Sequence, residues 1–504
     1  MTGTLFKTLA AATLFATLPA WAQVAVGEKA ARPPNVIVIL ADDIGYGDFS
    51  CYGAKQVKTP NVDRLAKEGM RFTDAHATAA VCTPTRYAML TGQYAWRNKA
   101  GAGILSGEAP LAIDPAKATA PAIMQKAGYT TGIVGKWHIG LGAGDLDYNK
   151  EIKPGPREVG FDYAFYFPAT NDRVPCVFIE DRRVVGLDPN DPIQVSYKGK
   201  VGTEPTGREH PELLQLKYRV GHDGTIVNGI SRIGFMGGGK AAWWKDEEIA
   251  DTLAKKAVGF IEKNQDKPFF LYFATHDIHA PRWPNARFRG TSDCGLRGDA
   301  IREFDWGVGE ILATLDRLKL ADNTLIIVTS DNGGTMNDGY MTDDRGVAKG
   351  HRCNAPLRGE KGDLWEGGHR EPFLARWPGK IKPGTESAEL IGLVDLSATC
   401  AALTGQTLPA DAAPDSFNIL PALLGGKSPR DHLVLQSNGI QRQALRQGQW
   451  KFIPAGKQGG QDELYNLAND IGETSNLAGK KPEKLKEMQE LLAKLRAAPF
   501  SRPK

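Results

Sequence analysis

Three carboxylates and a carboxamide, Asp42, Asp43, Asp331 and Asn332, form two short pairs far apart in the chain and offer only oxygen donors. Hard oxygen ligands in that number suit calcium or magnesium, whereas transition metals usually recruit histidine or cysteine. Three carboxylates gathered without a cation would repel one another at considerable cost, so a convergent group calls for a metal. Arg86, Lys136, His138, His279 and Lys361 are cationic or can become so. A divalent cation ringed by such side chains traps a compact, highly charged oxyanion, sulfate or phosphate, and stabilises charge developing on its oxygens during transfer. The missing part is a nucleophile. Cys82 in AAVCTPTRYAMLTGQ is the candidate, because proline early in a helix and the helix N-terminus together favour an anion at that place.

These residues need elements that bring them together. PNVIVILADDIGYGD, YTTGIVGKWHIG, KPFFLYFATHDIHAP and NTLIIVTSDNGG share one grammar: a short apolar, β-branched run followed at once by polar residues that a core would reject. Helical patterns separate them, around Leu65 (VDRLAKEGMRF), Ile123, Leu253 and Ile311. Strands alternating with helices predict an α/β fold with a large, mostly parallel sheet sandwiched by helices. In such sheets the functional residues gather beyond the carboxyl ends of the strands. Asp42 with Asp43, Lys136 with His138, His276 with His279, and Asp331 with Asn332 all occupy that position. Taken singly, Asp43 could cap a helix, Lys136 could be solvated and either histidine could be an ordinary buried polar residue. Their common placement argues for one site.

Between Gly155 and Lys240 the chain turns to Pro, Gly and Asp clusters, which is how insertions that rim a substrate site read. TGQTLPADAAPDS then reads as a link from a catalytic domain, residues 23–405, to a smaller α+β subdomain, residues 406–504, with short strands and a leucine-spaced final helix. The first residues, with Lys7, an apolar stretch and small residues at Ala20 and Ala22, read as a signal peptide spanning residues 1–22, so the mature chain is expected to be periplasmic or secreted. No later apolar run is long enough for a membrane span. Lysine plus arginine (62) barely exceed aspartate plus glutamate (58), which excludes a nucleic-acid-wrapping surface. Export would permit disulfides among the six cysteines, and the absence of CxxC weakens zinc and thioredoxin-type readings.

CTPTRYAMLTG resembles the sulfatase signature CxPxR followed by LTG, in which the cysteine is converted after translation to formylglycine. ILADDIGYGD, GKWHIG, the HAP of THDIHAP, TSDNGG and GEKGDLWEGGHREP resemble the other sulfatase motifs in the family's order, and QALRQGQWKFI with ELYNLANDIGETSNLA resembles its C-terminal subdomain. The resemblance implies an alkaline-phosphatase-like fold and a sulfuric ester hydrolase. It also implies one calcium ion held by Asp42, Asp43, Asp331 and Asn332 together with residue 82. Arg86 would position the formylglycine hydrate, Lys136 and Lys361 would bind sulfate oxygens, His138 would assist release of sulfate, and His279 would protonate the leaving alkoxide. The modification makes chemical sense: one hydroxyl of a hydrated aldehyde attacks sulfur, and the other then loses its proton and expels sulfate by carbon–oxygen cleavage, so no second attack on sulfur is needed. A formylglycine-generating maturation enzyme is therefore an implied partner. Thr85 departs from the family, where Ser or Ala is usual.

ATNDRVPCVFIEDRRVVGLDPNDPI and GHDGTIVNGISRIGF resemble a bacterial branch related to N-acetylgalactosamine-6-sulfatases, which implies a sulfated carbohydrate, with 6-O-sulfated galactose or N-acetylgalactosamine as substrate. Asn171, Asp172, Arg173, His222, Asp223 and, less strongly, His276 are the candidates to read sugar hydroxyls; the plainer alternative is that they stabilise irregular loops. Three other readings stay open. A phosphate or phosphonate ester hydrolase would use the same metal and cations. A non-catalytic glycan-binding protein would be expected to lose some strand-end residues. A thiol enzyme using unmodified Cys82 leaves the acidic cluster unexplained.

Overall fold

The run NVIVILA forms the strand β1 (Asn35–Ala41), buried along its whole length, as expected of a strand covered on both faces. It belongs to a ten-stranded sheet in a computed structural model that describes residues 1–2, 32–336, 338–341, 349–456 and 459–502. Beyond its first two residues, the expected signal peptide lies outside the described residues. In chain order the other strands are β2 (Met70–Phe72), β3 (Thr130–Lys136), β4 (Tyr163–Phe167), β5 (Ile179–Glu180), β6 (Arg183–Val184), β7 (Phe269–Ala274), β8 (Thr324–Ser330), β9 (Phe373–Arg376) and β10 (Thr385–Ser387). Their spatial order is β10-β2-β9-β8-β1-β7-β3-β4-β5-β6. The centre, β8-β1-β7-β3-β4, is parallel throughout. Both flanks carry antiparallel pairs, so the sheet is mixed. MRF, included in the helical pattern around Leu65, is the strand β2: Gly69 ends helix α1 (Pro60–Glu68), and Met70 and Phe72 bury themselves beside β9.

Helices cover the sheet as two groups. One contains α1, α4 (Ile249–Lys263) and α5 (Gly295–Arg317); the other contains α2 (Cys82–Thr91), α3 (Ala120–Lys126) and α6 (Leu396–Leu403). In α4 the buried residues Ile249, Leu253, Ala257, Phe260 and Ile261 recur at helical spacing and make its inward stripe. Helix α2 is different, with every residue buried. Gly92 ends it in the left-handed region at φ 65, returning its N–H to the Ala88 carbonyl. Among the described residues no helix is long and apolar enough to cross a membrane. All six cysteines are free thiols, so the disulfides that export would permit are not formed.

Pro34–Lys504 is one compact unit. Within it, strands β11 (His432–Gln436), β12 (Gln443–Gln447), β13 (Trp450–Ile453) and β14 (Glu463–Asn466) form a separate antiparallel sheet, covered by α7 (Pro482–Ala497). Met488, Leu492 and Leu495 of α7 share an apolar cluster with this sheet, and the cluster continues into Ala88 of α2 and Tyr94 just after it. The segment that reads as a link is stitched down rather than free. Asp415 is buried, accepts the Tyr94 N–H at 2.8 Å and pairs with Arg97 at 2.9 Å, because its carboxylate satisfies donors that would otherwise be orphaned.

A second clasp is ionic. Lys451 of β13, fully buried, lies 3.0 Å from Glu366, 2.9 Å from Glu473 and 3.1 Å from the His369 ring. The Glu366 N–H also donates to Glu473 at 2.6 Å, so the Lys361-bearing segment is pinned to the C-terminal sheet. Breaking such a buried pair from one side strands charges that cannot reach water. Lys451→Met is expected to lower unfolding stability by about 3–5 kcal/mol, read from urea denaturation, with activity falling in step with the folded fraction.

Candidate active site

Strand register builds the site. Ala41 pairs with Ser330, Leu40 with Ala274, and Ala274 with Gly135, so the next residues leave the sheet along one edge. Gly135 has no alternative there: a Cβ would stand 1.8 Å from the Ala274 carbonyl oxygen. Asp43 (φ 64) and His138 (φ 54) both adopt left-handed backbone, a strained choice for non-glycine residues that clusters where function dictates geometry. The Asp42 N–H donates to the Asp277 carbonyl at 2.7 Å, which docks the THDIHAP loop directly on the acidic pair.

Asp42, Asp43 and Asp331 are fully buried, as are Arg86 and Lys136. Lys136 Nζ donates to both Asp42 oxygens at 2.8 and 2.7 Å, and Lys361 Nζ to both Asp43 oxygens at 2.7 Å. Arg86 meets Asp331 through Nε at 2.9 Å and Nη2 at 2.7 Å, while its Nη1 donates to the Lys136 carbonyl at 3.2 Å. Burial lifts the Asp42 carboxyl to about 7, although Lys136 pulls it down. Burial pushes Asp43 up too, but Lys361, His279 and Lys136 together hold it below the usual carboxylate range.

The arrangement fits a hard cation. One donor atom each from Asp42, Asp43, Cys82 and His279 lies within 4.8 Å of the others. Asn332 donates its amide to Asp43 at 2.8 Å, yet its own Oδ1 is buried without a partner, and an orphaned acceptor beside three carboxylates is what a cation would complete.

Cys82 opens α2 and is 1% exposed. Burial pushes its thiol up, outweighing the pull of Lys136 and Lys361, so the unmodified side chain is a neutral thiol, which disfavours the thiol-enzyme reading. The hydroxyl of Thr85 is used inside the fold, donating to the Ala79 carbonyl at 2.9 Å.

Both histidines have assigned tautomers. His138 Nε2 sits 2.9 Å from the Leu105 carbonyl and must donate to it, leaving the buried Nδ1 as an unpartnered acceptor. His279 Nδ1 donates to the Ala280 carbonyl at 2.7 Å, leaving Nε2 to face Asp43 at 3.9 Å. Burial, reinforced by Lys136 at His138 and Lys361 at His279, keeps both neutral; His279 is pushed down to about 3. His276, likewise pushed down to about 3 by burial, lies 3.4 Å from Asp277 and has no bond to the acidic cluster.

The sugar-reading candidates divide. Asn171 donates to the His279 and Pro281 carbonyls, each at 3.2 Å, with its Oδ1 buried and unpartnered. Asp172 accepts from Arg173 at 2.8 Å and from His222 at 3.0 Å. The Asp223 carboxylate accepts from the exposed Arg208 at 2.7 Å, an ion pair set up by the backbone bond from the Arg208 N–H to the Asp223 carbonyl at 3.1 Å. The residues 155–240 carry short two-stranded ribbons, Gln194–Ser196 with Phe235–Gly237 and Ile226–Val227 with Ile230–Ser231, rather than wholly irregular loops.

Several contributors were not singled out by the sequence. Thr83 donates to the His138 carbonyl at 2.9 Å, tying α2 to the GKWHIG loop, and nothing but its place inside CTPTR hints at this. Glu371, within GHREP, is buried with both oxygens unpartnered; burial first, and then Asp331 and Asp43, push it well up, so it is a neutral acid.

Fold and site together define a hydrolase of compact oxyanion esters on an alkaline-phosphatase-like scaffold. The family described as Sulfatase matches residues 34–406, and N-sulphoglucosamine sulphohydrolase, C-terminal, matches residues 360–498. The chain is 49% identical over 475 residues to the N-acetylgalactosamine-6-O-sulfatase of Bacteroides thetaiotaomicron, covering 92% of this chain and 93% of that protein. Human arylsulfatase A is 33% identical, with 94% and 90% covered. A solved Bacteroides thetaiotaomicron structure, described under the metabolism of multiple glycosaminoglycans, superposes with a TM-score of 0.89 at 47% identity, over 93% of this chain and 100% of its own. The chain belongs to the sulfatase family and is a sulfuric ester hydrolase. The family generally uses formylglycine and a divalent metal.

The turn after Asp43 is fastened by Asp48, which accepts from the Gly45 N–H at 2.7 Å and from His351 Nε2 at 2.8 Å and pairs with Arg297. Burial pulls His351 down, but its bonds to Asp48 and Cys294 raise it from 6.5 to about 9. A group whose folded value is raised stabilises fully below its unfolded value and loses that contribution as pH climbs through the folded one. Unfolding stability is therefore expected to fall between pH 6.5 and about 9, and His351→Gln to flatten that part of the profile, measured by denaturation at a series of pH values.

Proposed function

We propose that the chain removes the 6-O-sulfate of galactose or N-acetylgalactosamine from sulfated glycans, acting after export through a signal peptide cut after Ala22. The observation that carries this reading is the 49% identity, over nearly the whole length of both chains, to a protein named for N-acetylgalactosamine 6-O-desulfation. We further propose one calcium ion held by Asp42, Asp43, Asp331, Asn332 and residue 82, and a formylglycine made from Cys82 by a maturation enzyme. The cation supplies Lewis-acid charge for the sulfate oxygens, and the hydrated aldehyde supplies the attacking hydroxyl.

This chain's own residues then have separable tasks. Arg86, bonded to Asp331 and to the Lys136 carbonyl, fixes the carboxylates relative to the first turn of α2. Lys136 and Lys361, now paired with Asp42 and Asp43, have donors for sulfate oxygens once those carboxylates serve a cation. His138 is neutral with Nδ1 open, the form needed to accept a proton from the residue-82 hydrate. His279 must carry a proton on Nε2 to give to the departing alkoxide. The negative charge of a bound sulfate ester offsets Lys361 and favours that imidazolium.

Phosphate and phosphonate ester hydrolysis is the competing chemistry for such a pocket, and the family match weighs against it. Protein expressed with a maturation enzyme is expected to show an aldehyde in place of the Cys82 thiol by peptide mass spectrometry. Activity should disappear on chelation and return with calcium; full activity in unmodified protein, or recovery with magnesium alone, would remove the corresponding part of the proposal. In a panel of mono-sulfated sugars, 6-sulfated galactose and N-acetylgalactosamine should be turned over best. Preference for 4-O-sulfate or for glucosamine would overturn the sugar assignment while leaving the sulfatase activity intact.

A further inference from the structure

The loop that follows β7 carries a second group of ligating side chains beside the catalytic centre. His276 and Asp277 meet Glu303 of α5, and one donor atom from each of the three lies within 4.8 Å of the others. All three are buried, at 6%, 4% and 2% exposure. His276 Nε2 stands 3.4 Å from Asp277 Oδ1, and its Nδ1 is buried without a partner. Burial keeps this imidazole neutral, the form in which histidine ligates a metal.

The two carboxyls lack what each acid of the catalytic centre has. Asp42, Asp43 and Asp331 each meet a lysine or an arginine. Among the described residues no lysine or arginine comes within ion-pair distance of Asp277 or Glu303, whose one such neighbour is His276. The arginines of the same stretch are spent elsewhere: Arg287 pairs with Asp251 and Arg289 with Glu247, each at 2.8 Å. One Glu303 oxygen accepts the Asn285 N–H at 2.9 Å, which satisfies a lone pair but brings no charge. Asp277 and Glu303 also border a cavity of about 10 Å³, lined by Leu253, Phe273, Thr275 and Phe304, which is room for one water.

Buried carboxyls without a basic partner either share a proton or bind a metal. A shared proton needs only the two acids and leaves the histidine idle, whereas a metal uses all three groups. We propose that His276, Asp277 and Glu303 form a second metal site, for a divalent first-row transition ion of which zinc is the best match. One imidazole and two carboxylates are a borderline donor set, unlike the all-oxygen set of Asp42, Asp43, Asp331 and Asn332. Three protein ligands and one water make a four-coordinate ion, and the cavity has room for that water. The ion ties the loop after β7 to α5. That loop exchanges two backbone bonds with Asp42, from the Asp42 N–H to the Asp277 carbonyl and from the Ile278 N–H to the Asp42 carbonyl, and it carries His279. The second site therefore holds the loop in place and takes no part in the chemistry. It depends neither on the sugar assignment nor on the calcium.

The test is metal content. Tag-free protein is stripped with a chelator, dialysed against zinc chloride in the presence of excess calcium, passed through a desalting column and analysed by elemental mass spectrometry. About one zinc per chain is expected to remain, with a thermal unfolding midpoint that rises as zinc is added and saturates. X-ray absorption at the zinc edge should show one imidazole among nitrogen and oxygen ligands and no sulfur. Asp43→Asn, which disables the catalytic centre, should keep the zinc, while His276→Gln and Glu303→Gln should each lose it. No zinc retained by the wild-type protein overturns the site and leaves Asp277 and Glu303 sharing a proton. A sulfur ligand, or loss of zinc in Asp43→Asn with retention in Glu303→Gln, moves the ion to the catalytic centre and overturns it as well. Where a variant does not fold, the wild-type zinc content and absorption spectrum decide by themselves.

Discussion

The structure depends on one electrostatic constraint: three carboxylates, Asp42, Asp43 and Asp331, lie fully buried within reach of one another. Their mutual repulsion and desolvation would oppose folding unless positive charge were built in beside them. Each has its own cation, Lys136 for Asp42, Lys361 for Asp43 and Arg86 for Asp331. Those three cations come from three separate parts of the chain: the end of β3, the segment before β9, and the first turns of α2. Placing them is what the parallel register, the fully buried α2 and the clasp to the C-terminal sheet accomplish together.

The same charge balance links folding to chemistry. The cations that neutralise the acids are also, on the proposed reading, the groups that would bind the sulfate ester, so the interactions that let the site fold would also prepare it for substrate. This explains why the Lys361 segment is held so firmly. It is fastened through Glu366 and Glu473 to Lys451, and Gly362 donates its N–H to the Ala80 carbonyl at 2.8 Å, two residues from Cys82. The small C-terminal sheet thereby contributes to the position of a charged side chain at a site it does not itself enter.

What could be read from the sequence followed from chemistry that cannot be hidden. Acidic and cationic residues directly after apolar runs have no role in a core, so Asp42, Lys136, His279 and Asp331 announced a common edge. The sulfatase resemblance rested on the same residues. What could not be read lies in backbone partners and in long-range pairing. No spacing reveals that the Leu105 carbonyl fixes the His138 tautomer, or that Asp48 finds His351 about 300 residues onward. MRF reads as helix because its apolar residues continue the period of α1, and only the neighbouring β9 decides otherwise. Asp223 reads as part of a polar, sugar-facing loop, and no spacing reveals that its carboxylate pairs with Arg208.

The two histidines show how far backbone positions, rather than side-chain identity, determine chemistry. Both imidazoles are neutral because burial and neighbouring ammonium groups disfavour a further positive charge. Their tautomers differ because different ring nitrogens meet backbone carbonyls: Nε2 of His138 donates to Leu105, and Nδ1 of His279 donates to Ala280. One ring therefore presents Nδ1 and the other presents Nε2, each with a lone pair open to the site. On the proposed reading a bound sulfate ester would act on them unequally, since His279 stands beside Asp43 and Lys361, whose charges the ester would rearrange, whereas His138 is held by a carbonyl and by the fixed charge of Lys136. A proton acceptor and a proton donor can thus arise from the same residue type, separated by which carbonyl each one meets.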